Sequence, residues 1–285
     1  MKVPSWESGF EFRISNFEFN QWLPAAVFLL FLVACAAPAF ADTPDEEALY
    51  ALWGDQQKDP GNHAALAQEA AAFEQHFPAS PLIPVARGLT AWHLLESGDF
   101  DGAKQLLEKM ASAEAGPIAA IGAEMGRRWL TRMDREQVAA ALQKVYAEDL
   151  EYPETLAAVG ALPPESRPPM TDRWGAAWLY TPAAFKKLQT GDRQTFILES
   201  TRLGNGSELK RALALPYGAG FTFKPVKVMP PIGGKAVIVF RSADGRTATV
   251  SEGAAGSDLG LAYLGDEVLI LSSGDYWSIQ PRPSS

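Results

Sequence analysis

Apolar residues recur at helical intervals through the first half of the chain and alternate in its last third. Leu49, Leu52 and Trp53 share one helical face, and Leu66, Ala70, Phe73 and Phe77 follow at steps of four, three and four. That is a helix period, not a strand period. Pro78, Pro81 and Pro84 punctuate the pattern, with Ser80 available as an N-cap. Helical spacing resumes after Pro84, with Gly98 as a turn between two segments, and the stretch 117–148 reads as one more helix pair. Beyond Pro163-Pro164 the period shortens to two and turn residues become frequent. Lys235–Arg241 and Arg246–Val250 flank Asp244-Gly245, the signature of a β-hairpin. Glu267–Leu271 and Tyr276–Ile279 read as two more strands around Ser273-Gly274-Asp275, and Gly220–Lys224 as the opening strand. Pro230–Gly234 reads as a loop. The order, helices first and antiparallel strands last, predicts an α+β fold.

The N-terminus carries a different pattern. No charge occurs from Trp22 to Ala41, and Ala25–Val33 is continuously apolar, ending in Ala39-Phe40-Ala41. An apolar run followed by an A-x-A site reads as a secretory signal over residues 1–41. Two alternatives use the same stretch. Leu32-Val33-Ala34-Cys35 resembles a bacterial lipobox, which makes Cys35 a lipidation candidate. A retained anchor is the third, since about 20 apolar residues cross a bilayer; Pro24 and Pro38 argue against it. All three place the remainder outside the cytoplasm, periplasmic or anchored in the cell envelope, with membrane contact only through this segment or a lipid on Cys35.

Composition narrows the function classes. The 285 residues carry a net charge of −9, and the excess lies in residues 42–150, with 18 acidic and nine basic groups. An acidic chain without a basic block is a poor binder of phosphate backbones, so no nucleic-acid partner is expected. A single Cys excludes an internal disulfide and a multi-thiolate metal site. His63, His76 and His93 all fall in the helical half without metal-ligand spacing, and His93, beside Trp92, reads as a packed residue. No nucleophile elbow, phosphate loop or dinucleotide fingerprint occurs. Asp45, Glu46 and Glu47 read as a solvated group favouring a helix N-terminus, and Asp99 and Asp101 as flanking a turn. No catalytic residue, metal or cofactor is expected.

Three stretches resemble known families. Ala91-x-x-Leu94, Gly98-Asp99-Phe100, Ala103 and Leu107-x-x-Met110 resemble one tetratricopeptide repeat over about residues 85–112. The resemblance implies that Gly98 makes the turn, Ala103 lets paired helices approach, and Phe100 and Leu107 fill the groove. A plain helical hairpin fits the same residues. Tyr152-Pro153-x-x-Leu156, Asp172-x-Trp174-Gly175-x-x-x-x-Tyr180 and the segment ending in Ser200 resemble the globular part of the type II secretion major pseudopilin over about residues 135–205. That resemblance implies a hairpin corner packed on a helix. On the residues themselves, Gly175 permits a tight turn, Asp172 accepts backbone donors, and Trp174, Trp178 and Tyr180 cover the helix. The family's calcium loop has no counterpart here, since Leu203–Glu208 holds no Asp. Residues 249–271 resemble the small β domains of secretion and pilus-assembly proteins.

The expected organisation is a signal segment (1–41), a helical repeat-like domain (42–134), a pseudopilin-like helix-plus-hairpin unit (135–215) and a small antiparallel β unit (216–285). The expected function is a non-catalytic envelope protein of a type II secretion or pilus-like system, binding other envelope or secretion proteins. The alternative is an envelope hydrolase with an interdomain cleft. Asp172, Trp174, Gly175, Tyr180, Gly98, Phe100 and Ala103 are its fold and contact residues.

Overall fold

A computed structural model describes residues 43–283 except 113–115, 183–194, 219–220, 222 and 254–258. The expected signal segment and Cys35 lie outside the described residues. Thr43–Ser285 form one compact unit of α+β class. Among the described residues no helix is long and apolar enough to cross a membrane.

Five helices come first: α1 (Pro44–Lys58), α2 (His63–His76), α3 (Ile83–Ser97), α4 (Phe100–Ala111) and α5 (Pro117–Asp149). Each packs on the next along the chain. Their ends follow local chemistry. Proline occupies the first turn of α1, α3 and α5, where a missing N–H costs nothing. Gly98 closes α3 in the left-handed conformation (φ 85°), and Asp99 caps α4 by accepting from the Gly102 N–H at 3.0 Å. Ser80 is not the cap of α3. Its hydroxyl donates to Asp45 and accepts from the Leu82 N–H, which ties the α2–α3 loop to α1.

The helix pair expected over 117–148 is a single helix of 33 residues. Gly122 and Gly126 do not break it, because they serve close packing: a Cβ on Gly126 would lie 2.8 Å from the Leu107 carbonyl oxygen of α4. The boundary expected between 134 and 135 falls inside this helix. Phe100 was expected in the groove but begins α4 facing solvent, 48% exposed. Ala103, Leu107 and Met110 fill the interface instead.

The strands build three layers. A short antiparallel pair, β1 (Leu179–Pro182) and β2 (Phe196–Glu199), covers the C-terminal half of α5 together with α6 (Ala157–Gly160). The helix α7 (Leu209–Leu213) leads to two meanders, β3 (Phe223–Ile232), β4 (Lys235–Ser242), β5 (Thr247–Ser251) and β6 (Gly260–Leu264), β7 (Val268–Ser273), β8 (Tyr276–Pro281). The β7 strand sits in the middle. Its Val268 and Ile270 join the core formed with the helices, and Leu269 and Leu271 join the core shared with Ile238 and Phe240 of β4. Period-two alternation thus buries both faces of one strand and stacks helices, sheet and sheet.

The β4–β5 hairpin turns at Asp244-Gly245 as expected. Of the expected opening strand, Gly220 and Thr222 lie outside the described residues; β3 contains Phe223 and Lys224 and runs further than expected, through Pro230 and Pro231 up to the Gly233-Gly234 turn. Prolines are tolerated because β3 is an edge strand, and its register slips between Pro225 and Lys227 and between Met229 and Ile232.

Candidate functional site

Polar chemistry in this protein is concentrated where layers meet. The Asp172 carboxylate accepts from the Trp174 N–H (3.0 Å), the Ala176 N–H (2.9 Å) and the Ser200 hydroxyl (2.7 Å). Ser200 in turn donates its N–H to Ser207, whose hydroxyl donates to the Gly204 carbonyl. Asp172, Ser200 and Ser207 are all buried. Gly175 adopts φ 82°, so the corner closes as its residue types require. Tyr180 donates to the Pro153 carbonyl at 2.8 Å. The corner residues Asp172, Trp174, Gly175 and Tyr180 therefore come together, whereas Gly98 and Ala103 belong to the separate α3–α4 turn.

Trp174 departs from expectation. The aromatic buried against α5 is Trp178 (6% exposed), which donates to the Pro169 carbonyl. Trp174 is half-buried and donates its indole N–H to Glu124 of α5 at 3.0 Å. The Arg202 guanidinium lies over its ring, 5.0 Å from the centroid. Here the Asp-x-Trp-Gly corner holds a surface carboxylate in place.

That carboxylate belongs to the rim of a groove of about 730 Å³. One wall is a single face of α5, with Pro117, Ile121, Glu124 and Arg128 at steps of four, three and four. The opposite side comes from the start of β4 (Lys235), the residue after β5 (Glu252) and the β7–β8 turn. Two glycines keep the strands close to the helix. A Cβ on Gly253 would lie 3.8 Å from Pro117, and one on Gly274 would lie 3.2 Å from the Arg128 guanidinium. Both have positive φ, where other residues are strained.

Arg128 is held from below. It donates to Asp275 at 2.7 Å, and Arg132 forms a two-pronged pair with the same carboxylate at 2.9 and 2.8 Å. Burial pushes the Asp275 carboxyl up, but Arg132 and Arg128 outweigh it and keep the group below the usual carboxylate range. Arg132 is itself buried, also donating to the Gly206 carbonyl. A second pair joins the buried Asp134 of α5 to the half-buried Arg173 beside the corner.

Buried polar contacts also lie outside the corner and the groove. Glu46, expected in solvent, is 1% exposed and accepts from the Tyr263 hydroxyl and from the backbone N–H groups of Asp266, Glu267 and Val268. His93 is packed as expected, but it also bonds to His63 and Gln56. Among the described residues no group of three or more His, Cys, Asp or Glu is placed to hold a metal ion. The arrangement of apolar wall, fixed charges of both signs and strand-end backbone suits binding of an extended segment. A comparison with models of known protein families and searches among characterised proteins and solved structures found no match.

Proposed function

We propose that this is an envelope protein acting outside the cytoplasm, a component or accessory of a type II secretion or pilus-like system that works by binding other proteins. In this reading α1–α4 are repeat-like helical hairpins, the C-terminal half of α5 with β1–β2 is the pseudopilin-like unit, and the two meanders form a docking module. The observation that carries it is the α5 groove. Two of its four charged groups are held by partners outside the groove, Glu124 by Trp174 and Arg128 by Asp275. Preset charges beside an apolar strip such as Pro117 and Ile121 favour recognition at little entropic cost on binding. The helical order of α1–α4 and the corner on α5 support the finer architecture.

The test uses the full-length chain expressed with a type II secretion apparatus. Ala120→Arg combined with Lys235→Glu, both at exposed positions lining the groove, is expected to abolish co-purification with the pseudopilin subunits while leaving the melting temperature within a few degrees of the parent. Undiminished co-purification would refute the groove as the contact. Turnover of a small molecule by the purified chain, lost on replacing Glu124 or Glu252, would refute the binding reading itself.

A further inference from the structure

A second concavity lies away from the groove, among the helix ends. The last turn of α1 (Gln56, Gln57), the first residue of α2 (His63), the last two turns of α3 (Trp92, Glu96) and the segment Leu213–Tyr217 enclose about 350 Å³. That volume lies in the range of small-ligand pockets.

Behind His63 stands a chain of hydrogen bonds that fixes its ring. Gln56 Oε1 lies 2.5 Å from His93 Nε2, and His93 Nδ1 lies 3.1 Å from His63 Nδ1. Gln56 and His93 are both almost fully buried. A carbonyl oxygen only accepts, so His93 Nε2 carries the hydrogen. Burial, followed by the nearby His63, lowers the His93 pKa to about 4, so the ring is neutral and its Nδ1 is bare. His63 therefore donates from Nδ1. In neutral His63 the nitrogen left with a lone pair is Nε2, and His63 lines the pocket.

The other pocket groups share this acceptor character. The Glu96 carboxyl lies beside His63 and is half-buried. Burial raises its pKa, with His63 acting in the opposite sense, and a cation beside the carboxyl stabilises its charged form. The C-terminal ends of two 15-residue helices, α1 and α3, border the pocket, and helix C-termini favour positive charge. Among the described helices α2 alone turns its N-terminus here. Among the described residues no Lys or Arg lines the pocket. Trp92 and Tyr217 meet edge to face, with centroids 5.1 Å apart. The Trp92 Nε1 is fully buried, so the indole turns carbon towards the pocket. Leu215, 55% exposed, stands at the rim.

We propose that this pocket binds the ammonium group of an alkylamine, either a free amine or a Lys side chain of a partner. The ammonium donates to His63 Nε2 and to the Glu96 carboxylate, and the alkyl stem lies against Trp92, Tyr217 and Leu215. The site does not depend on the α5 groove.

The test titrates the full-length chain in detergent with n-pentylammonium and n-pentanol while recording imidazole nitrogen and indole resonances. Pentylammonium is expected to bind saturably, at least about tenfold more tightly than pentanol, and Glu96→Gln is expected to weaken it by about tenfold with an unchanged melting temperature. The neutral His63 ring is expected to show its proton on Nδ1. A capped Gly-Lys-Gly peptide separates the sources: tighter binding than pentylammonium assigns a partner's Lys, and weaker binding a free amine. Equal binding of pentanol, no saturable binding of either amine probe, a Glu96→Gln variant that binds like the parent, or a neutral His63 protonated on Nε2 overturns the proposal.

Discussion

Glu46 is the most informative residue to perturb. Its carboxylate lies under the β6–β7 turn and accepts four hydrogen bonds, from the Tyr263 hydroxyl at 2.8 Å and the Asp266, Glu267 and Val268 N–H groups at 3.3, 2.8 and 3.1 Å. Removing it does not affect these donors equally. Asp266 and Glu267 are exposed and Tyr263 is half-buried, so water replaces much of what they lose, whereas Val268 is 1% exposed. One fully stranded donor costs about 1–3 kcal/mol, and lost bonds to a charged acceptor add to it. Glu46→Ala is therefore expected to destabilise by about 2–4 kcal/mol. Glu46→Gln keeps one acceptor oxygen and is expected to cost about half as much. The neighbouring Glu47 is exposed, and Glu47→Ala is expected to stay within about 0.5 kcal/mol, as surface changes do. Urea unfolding followed by tryptophan fluorescence measures this as a shift in midpoint at constant slope. If Glu46→Ala matched Glu47→Ala, the carboxylate would not be the link between α1 and the β6–β7 turn, and the argument would fail.

The same reasoning extends to three other sites. His93 is held near a pKa of about 4 by burial and by His63, against an ordinary value of about 6.5. Between those values the unfolded chain takes up a proton that the folded chain refuses. Stability is complete above this window and falls by roughly 3 kcal/mol as the pH drops through it; His93→Phe is expected to flatten that slope in melts run from neutral to acidic pH. Trp178→Ala removes a buried indole and its bond to Pro169 and is expected to cost about 3–5 kcal/mol. Trp174→Ala is expected to cost about 1 kcal/mol, since that ring is half-buried; reversal of this order in chemical denaturation would contradict the assignment. Gly126→Ala forces a methyl group against the Leu107 carbonyl and is expected to destabilise by about 1–3 kcal/mol, checked by calorimetry.

What could be read from the sequence was local. The β4–β5 hairpin was legible because Asp244-Gly245 sits between two alternating runs, and the corner because Asp172, Trp174 and Gly175 do their work within five residues. The continuity of α5 had a signal that the expected helix pair overlooked: no proline interrupts the chain between Pro117 and Pro153. β3 was misread because proline argues against a strand only where a ladder needs its N–H, and the edge position was not visible. Glu46 looked like any acidic residue in a first helical turn. Its partners lie more than 200 residues away, and no period or motif encodes that distance. The same holds for Gln56, His63 and His93, which three different helices bring together.

The distant contacts share a logic that bears on function. α5 is about 50 Å long at 1.5 Å per residue, and its polar residues address different layers in turn. Glu124 takes the Trp174 indole, Arg128 and Arg132 take Asp275 at the β7–β8 turn, Thr131 and Asp134 take Arg173, and Arg135 takes the Leu198 carbonyl of β2. Buried ion pairs contribute little net stability, but removing one partner is costly. Such pairs therefore penalise any arrangement in which the corner, the helix and the meander are out of register. The groove lies at the N-terminal end of this same helix, so its charged rim is set by contacts that also fix the corner and the sheets. In the binding role proposed above, the partner meets a surface already in place, and the affinity is decided by the few apolar residues of the α5 face instead of by ordering the site.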